Sequence, residues 1–275
     1  MGSVELVSVD SMQVYRGMDV GTAKPSVAER AEIRHHLLDL VDPCDDFTVA
    51  DFQAAYRSAI GDIGRRGGAA LLVGGTGLYH RAVIDEFEIP GEWPEVRDRF
   101  EAEHDTPLLH DRLLGLDPVA ARRMEPTNRR RIIRALEVTV GSGRPFSSFG
   151  PGVDAYPPSD VVQIGLRWPR DRLTARIALR VTRMVDEGLF AEVERIRSST
   201  GFSRTAGQAL GYKETLAMLE GRIGEDEVID MIITRTRQFA VRQERWFRRD
   251  PRVRWIDVDT DPVASAAPAV IDALG

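Results

Sequence analysis

The chain has 275 residues, with 43% hydrophobic and 29% charged residues and a formal net charge of −6, enough for one large domain or two. That balance excludes disordered and fibrous classes, and no apolar run approaches bilayer-spanning length. Met1-Gly2-Ser3-Val4-Glu5 lacks the segments of a signal peptide, and Cys44, the sole cysteine, excludes an internal disulfide and a cysteine-built zinc site. A cytoplasmic chain with no membrane association is expected.

In chain order, short β-like runs alternate with amphipathic helices, which predicts an α/β fold. Val4-Glu5-Leu6-Val7-Ser8-Val9 reads as a buried strand. Thr48 is a candidate N-cap for a helix over 49–66, where Val49, Phe52, Tyr56, Ile60 and Ile63 recur at helical spacing. Gly67-Gly68 ends it, and a second strand follows over 69–73. This βαβ pattern predicts a right-handed parallel pair. After residue 86 the pattern becomes helical only, over 94–104, 107–114, 118–124 and 127–140. A Gly- and Pro-rich linker then closes a predicted helical insertion over 87–152. The α/β core, 1–86 with 153–275, resumes with a strand over 161–166 and a helix over 170–187. A long helix over 225–248, a strand over 253–258 and a tail complete the chain.

The two N-terminal strands deliver the residues of interest. Asp10 follows the first strand, so it stands at the carboxyl edge of a parallel sheet, where α/β proteins bind ligands. An aspartate there also caps turns, and both readings fit. Gly74-Gly75-Thr76-Gly77 follows the second strand, and glycines let a ligand approach the backbone. Only Lys24 and Lys213 are lysines; the arginines cluster, notably in Thr127-Asn128-Arg129-Arg130-Arg131-Ile132-Ile133-Arg134-Ala135-Leu136-Glu137. Helical geometry puts Arg130, Arg134 and Glu137 on one face with Arg131 beside it, opposite Ile132, Ile133, Leu136 and Val140. Such rows are often plain solvated faces, but arginine's planar fork also suits phosphate.

Asp10-Ser11-Met12-Gln13-Val14-Tyr15-Arg16-Gly17-Met18-Asp19-Val20-Gly21-Thr22-Ala23-Lys24-Pro25 resembles the tRNA dimethylallyltransferase family (tRNA isopentenyltransferases, IPP transferases) almost position for position. Gly74-Gly75-Thr76-Gly77-Leu78-Tyr79, Gln208-Ala209-Leu210-Gly211-Tyr212-Lys213 and the run from Thr236 to Arg248 resemble further motifs of that family. In the last, Val241 replaces a basic residue. The resemblance implies a P-loop-NTPase-like parallel sheet flanked by helices, of the nucleotide- and ATP-binding kind, with an all-helical insertion. It implies a monomeric enzyme that moves a dimethylallyl group from dimethylallyl diphosphate to the exocyclic amine of an adenosine beside the anticodon.

By the same resemblance Asp10 is the general base and Thr76 lies in the transfer channel. Contacts to the tRNA anticodon stem-loop are implied for Asp10, Ser11, Met12, Gln13, Thr76, Arg97, the segment Arg130, Arg131, Ile132, Ile133, Arg134, and the segment Gln208, Ala209, Leu210, Gly211, Tyr212, Lys213. Tyr212 fits either a base-stacking residue or a core tyrosine at a helix start, and Lys213 could meet a phosphate. Arg176 or Arg180 is expected to meet diphosphate, and Mg2+ is the family's expected cofactor. The family opens with a phosphate-binding loop, G-x-x-x-x-G-K-[ST], and no such sequence occurs here. A truncated or mis-started chain is therefore expected. The alternatives are a tRNA-binding remnant without catalysis and an isopentenyltransferase acting on adenine nucleotides.

Overall fold

The computed structural model describes residues 3–274. The chain divides into two units, residues 1–84 with 158–275, and residues 85–157.

The first unit opens with β1 (Val4–Val9), α1 (Val27–Glu32), β2 (His35–His36), α2 (Val49–Arg65), β3 (Ala69–Gly74) and α3 (Gly77–Ile84). β1 is the central strand of a parallel sheet ordered β2-β1-β3. Val7, Ser8 and Val9 are all buried, as expected of an interior parallel strand covered on both faces. The β1–β3 register runs from Val4 opposite Ala69 to Val9 opposite Gly74, so the two strands end level. Thr48 caps α2 in a capping box with Asp51, as its sequence suggests, and Phe52, Ala59 and Ile63 form the helix's buried face.

The second unit holds α4 (Pro94–Glu101), α5 (Thr106–Leu116), α6 (Pro118–Arg122) and α7 (Arg129–Ser142). Prolines occupy the first turns of α4, α5 and α6, where their missing N–H costs nothing. Asn128 caps α7, its side chain accepting from the Arg131 amide, so the helix begins two residues later than the pattern over 127–140. Phe100, Leu109, Leu113, Ile132, Ile133 and Leu136 form this unit's own core.

The first unit resumes with β4 (Gln163–Arg167), α8 (Arg170–Asp186), α9 (Leu189–Ser198), α10 (Tyr212–Leu219), α11 (Glu225–Phe247), β5 (Val253–Asp257) and α12 (Pro262–Leu274). β4 and β5 pair in parallel as a second sheet. The strand expected over 161–166 begins only at Gln163; Val161 and Val162 are exposed outside it. The predicted tail is the helix α12, which tolerates Pro268 inside it.

A buried carboxylate pins the sheet. Glu5 of β1 is 4% exposed, accepts from Arg66 Nε and Nη2 at 3.0 and 2.7 Å, and pairs with His36 Nε2 at 2.6 Å. The Arg66 hydrogen bonds, then His36, hold its pKa down to about 2 against an ordinary 4.5. A depressed carboxylate stabilises the fold above its unfolded pKa and loses that contribution as pH falls through the folded value. Wild type and Glu5→Gln are therefore expected to differ in unfolding free energy at neutral pH. The difference should shrink as pH drops from about 4.5 to about 2. Urea unfolding across that range checks it, and a pH-independent gap would refute the linkage.

Candidate active site

Because β1 and β3 end level, the residues that follow them meet at one sheet edge. Asp10 Oδ1 accepts from the Met12 and Gln13 amides at 2.8 and 3.3 Å. Thr76 Oγ1 accepts from the Ser11 amide at 3.0 Å, and the Thr76 hydroxyl donates to Ser11 Oγ at 3.3 Å. Among the described residues Asp10 Oδ2 receives no hydrogen bond. Of the two readings of the aspartate, the turn cap is the one these hydrogen bonds show. One oxygen caps the turn and fixes the carboxylate's direction, and the other remains available for a proton.

The other residues of this motif serve the turn. Gln13, expected at the tRNA, is engaged internally: Oε1 accepts from Ser8 Oγ at 2.8 Å, and Nε2 donates to the Thr22 carbonyl at 3.2 Å. Met12 packs against the hydrophobic core. Glu192 of α9 is 4% exposed and accepts from the amides of Asp19, Val20 and Gly21 at 2.9, 2.9 and 3.2 Å, and from the Tyr212 hydroxyl. Lys24 Nζ, fully buried, donates to the Tyr15 carbonyl, Asp19 and Asp39, each at 2.7 Å.

This arrangement corrects the expectation for Tyr212. Its ring is 0% exposed, so no base can stack on it. Burial, and then the Glu192 charge, push its hydroxyl pKa upward. In the same segment Ala209 and Gly211 are buried and Leu210 is half-buried. Only Gln208 and Lys213 are exposed, and Lys213 Nζ donates to Gln208 Oε1 at 2.8 Å.

The two candidate diphosphate arginines on α8 differ. Arg176 lies over the Trp168 ring, 4.3 Å from its centroid. Arg180 makes no hydrogen bond or ion pair among the described residues. It lines a groove of about 320 Å³ with Leu173, Arg176, Ile177, Leu179 and Arg183. Its guanidinium is open to solvent yet crowded by protein, which lowers its pKa from the usual value, while the Asp10 charge acts in the opposite direction. The edge thus presents a carboxylate with one unengaged oxygen beside a hydroxyl, and Arg180 is an unpaired cation in a groove on α8.

A family model described as IPP transferase matches residues 13–250. The chain belongs to the IPP transferase family. It is 50% identical over 270 residues to a tRNA dimethylallyltransferase of Pseudarthrobacter chlorophenolicus, covering 96% of this chain and 88% of that one. The corresponding protein of Thermobifida fusca is 47% identical, with 97% and 84% covered. Among solved structures, the full-length tRNA isopentenylpyrophosphate transferase from Bacillus halodurans superposes with a TM-score of 0.70 at 38% identity, covering 98% and 86%. A eukaryotic dimethylallyltransferase acting on tRNA gives 0.80 at 25% identity, covering 97% and 71%.

In this IPP transferase the expected arginine ridge of the helical unit is largely an internal ion network. Glu137 of α7 is 0% exposed and accepts from the Trp93 amide at 2.8 Å and from Arg97 Nε at 2.9 Å. Arg134 Nη1 lies 2.9 Å from it, and Arg134 Nη2 donates to the Pro90 carbonyl at 2.9 Å. Burial raises the Glu137 pKa, but Arg97, the Trp93 amide and Arg134 more than offset it and hold the carboxyl below its ordinary value. Arg97 and Arg134 are therefore not free cations. Arg129 donates to the carbonyls of Glu101 and Glu103 near the end of α4. Ile132 and Ile133, at 0% and 6% exposure, are core residues whose side chains cannot reach RNA. The physical reason is that α4 and α5 both pack on α7 and bury a wider arc than one helix stripe. Arg130 and Arg131 alone of the segment remain exposed.

Sequence reasoning missed Glu192, an ordinary-looking helical glutamate whose three amide partners lie more than 170 positions away. It also gave no role to Gln243, although that residue stands inside a recognised motif. Removing the buried carboxylate in Glu137→Ala should destabilise the helical unit by about 2–3 kcal/mol, because two arginines and an amide lose their acceptor. Arg130→Ala should change stability by less than about 0.5 kcal/mol. Urea denaturation of both variants tests the distinction, and equal effects would contradict it.

Proposed function

We propose that this chain transfers a dimethylallyl group from dimethylallyl diphosphate to the exocyclic amine of the adenosine next to the anticodon in tRNA. The carrying observation is the Asp10 carboxylate, anchored by Met12 and Gln13 through one oxygen and unengaged at the other. An adenine amine is a weak nucleophile because its lone pair is delocalised into the ring. A carboxylate within reach accepts its proton as the new C–N bond forms and the allylic C–O bond breaks. The departing diphosphate gains negative charge, and Arg180, a cation without a partner among the described residues that lines the groove on α8, is the residue proposed to meet it. Since a stacked base cannot reach such an edge, the adenosine must leave its stack.

Arg130 and Arg131 are the residues of the helical unit suited to gripping the anticodon stem-loop through its phosphates. Among the described residues no group of three or more His, Cys, Asp or Glu side chains converges to hold an ion. Magnesium, which sites of this chemistry hold with one or two carboxylates and the substrate's own phosphates, remains part of the proposal, and no step here runs through it. No helix of the described residues is long and apolar enough to cross a membrane. A cytoplasmic location and a monomeric state belong to the same proposal.

Asp10→Asn keeps an oxygen for the Met12 and Gln13 amides but removes the base. It should slow transfer by about 10³-fold while tRNA affinity stays within about twofold. Parallel loss of binding and transfer would defeat the base assignment. Binding without transfer by the wild-type chain would favour a non-catalytic tRNA-binding protein, and faster prenylation of AMP than of tRNA would favour the nucleotide enzyme. Separately, Arg130→Ala with Arg131→Ala should weaken tRNA binding and flatten its salt dependence by a slope of about 1–2. An unchanged slope in filter binding would remove these arginines from the interface.

A further inference from the structure

The G-G-T-G turn that carries Thr76 rests on α11. Gln243 Nε2 donates to the Gly75 carbonyl at 3.0 Å. A Cβ placed on Gly75 would occupy the space of the Gln243 amide, and one placed on Gly77 would occupy that of the Trp246 indole. Both α11 residues are half-buried, and at i and i+3 they share a helix face. One turn further along α3, His80 meets Phe247 edge-on with ring centroids 5.2 Å apart. The helix therefore packs directly on the backbone of the turn, and only glycine at 75 and 77 permits that approach.

The contact has a consequence at the sheet edge. Gln243 holds the Gly75 peptide, the next residue is Thr76, and the Thr76 hydroxyl receives the Ser11 amide, which follows Asp10. The same helix packs against α8, which carries Arg180. We propose that Gln243 is a positioning residue: its amide fixes the Gly75 peptide so that Thr76 holds the Ser11 amide and sets the direction of the Asp10 carboxylate. Trp246 is the steric wall behind the same turn. This deepens the prenyl-transfer reading and rests on it for its catalytic consequence, whereas the structural linkage can be measured without any turnover.

Three substitutions separate hydrogen bonding from bulk. Gln243→Met keeps length and packing but has no donor. Gln243→Glu places an acceptor against the Gly75 carbonyl. Gln243→Ala removes both donor and bulk. The first measurement is amide hydrogen exchange in the intact chain. In Gln243→Met the Ser11 amide should exchange about tenfold faster, with the Val7 amide at the centre of β1 unchanged. The second is single-turnover transfer to tRNA. All three variants should slow it by about 10- to 100-fold, with KM for tRNA within about twofold of wild type. Wild-type exchange at Ser11 in Gln243→Met would overturn the proposal whatever the activity. So would wild-type turnover in that variant, which would show that bulk alone matters. A fall in rate matched by a rise in KM and a collapse in Tm would reduce Gln243 to a packing residue. If the wild-type chain transfers nothing while Ser11 exchange responds as expected, the prenyl-transfer reading fails and the linkage stands.

Discussion

The hydrogen bond from the Ser11 amide to the Thr76 hydroxyl joins the ends of two parallel strands, and the candidate site depends on it. Strands in parallel register that stop at the same level leave their next residues side by side, with backbone amides free to be satisfied by side chains. Here Thr76 takes the Ser11 amide, and Asp10 takes those of Met12 and Gln13. Each functional side chain spends one polar atom on the fold. A carboxylate bound through both oxygens could not serve as a base, and one bound through neither would pay rotamer entropy to be aimed.

Elsewhere the interior assigns single carboxylates to gather several donors. Glu192 takes three consecutive amides and a tyrosine hydroxyl, Glu137 an amide and two arginines, and Glu5 an arginine and a histidine. Asp117 caps α6 through the Ala120 amide and also accepts from the Ser147 amide and hydroxyl. This pattern changes the meaning of an arginine-rich sequence. Arginines that pair with buried acids rigidify the fold and contribute little to a phosphate-binding surface. Arg130, Arg131 and Arg180 are among the cations for which the described residues supply no acid partner, and a cation of that kind says more about a phosphate site than membership of a cluster does.

Local signals in the sequence transferred well to the structure. The Thr48 cap, the helix after it and β1 each follow from patterns within a few residues, and the parallel pairing of β1 with β3 follows from the strand–helix–strand order between them. The level strand ends, and so the meeting of Asp10 and Thr76, follow from those two strands once they pair. What the sequence concealed is set at long range. Arg97 and Glu137 are 40 positions apart, so helical periodicity could not show that Arg134 and Glu137 turn inward together. Tyr212 fits a stacking platform as well as a core position because nothing near it in sequence announces Glu192. Two-residue β2 is too short to leave a pattern, and α12 was obscured by Pro268 and by its alanine-rich, weakly patterned composition.

The separation of Asp10 from Arg180 is itself an argument about chemistry. The two groups feel one another's charge, yet among the described residues they do not form an ion pair. A direct pair would quench both, since a carboxylate locked to a guanidinium is neither a free proton acceptor nor a free phosphate ligand. Without such a pair, the carboxylate keeps an oxygen for a proton and the guanidinium keeps its donors for an anion. In the proposed transfer the carboxylate loses negative charge as it takes the amine proton, while negative charge grows on the departing diphosphate. A cation without a prior partner can meet that growing charge without first breaking an ion pair. Arg176 could not serve equally well, because its guanidinium is already stacked on Trp168 and would have to leave that ring first.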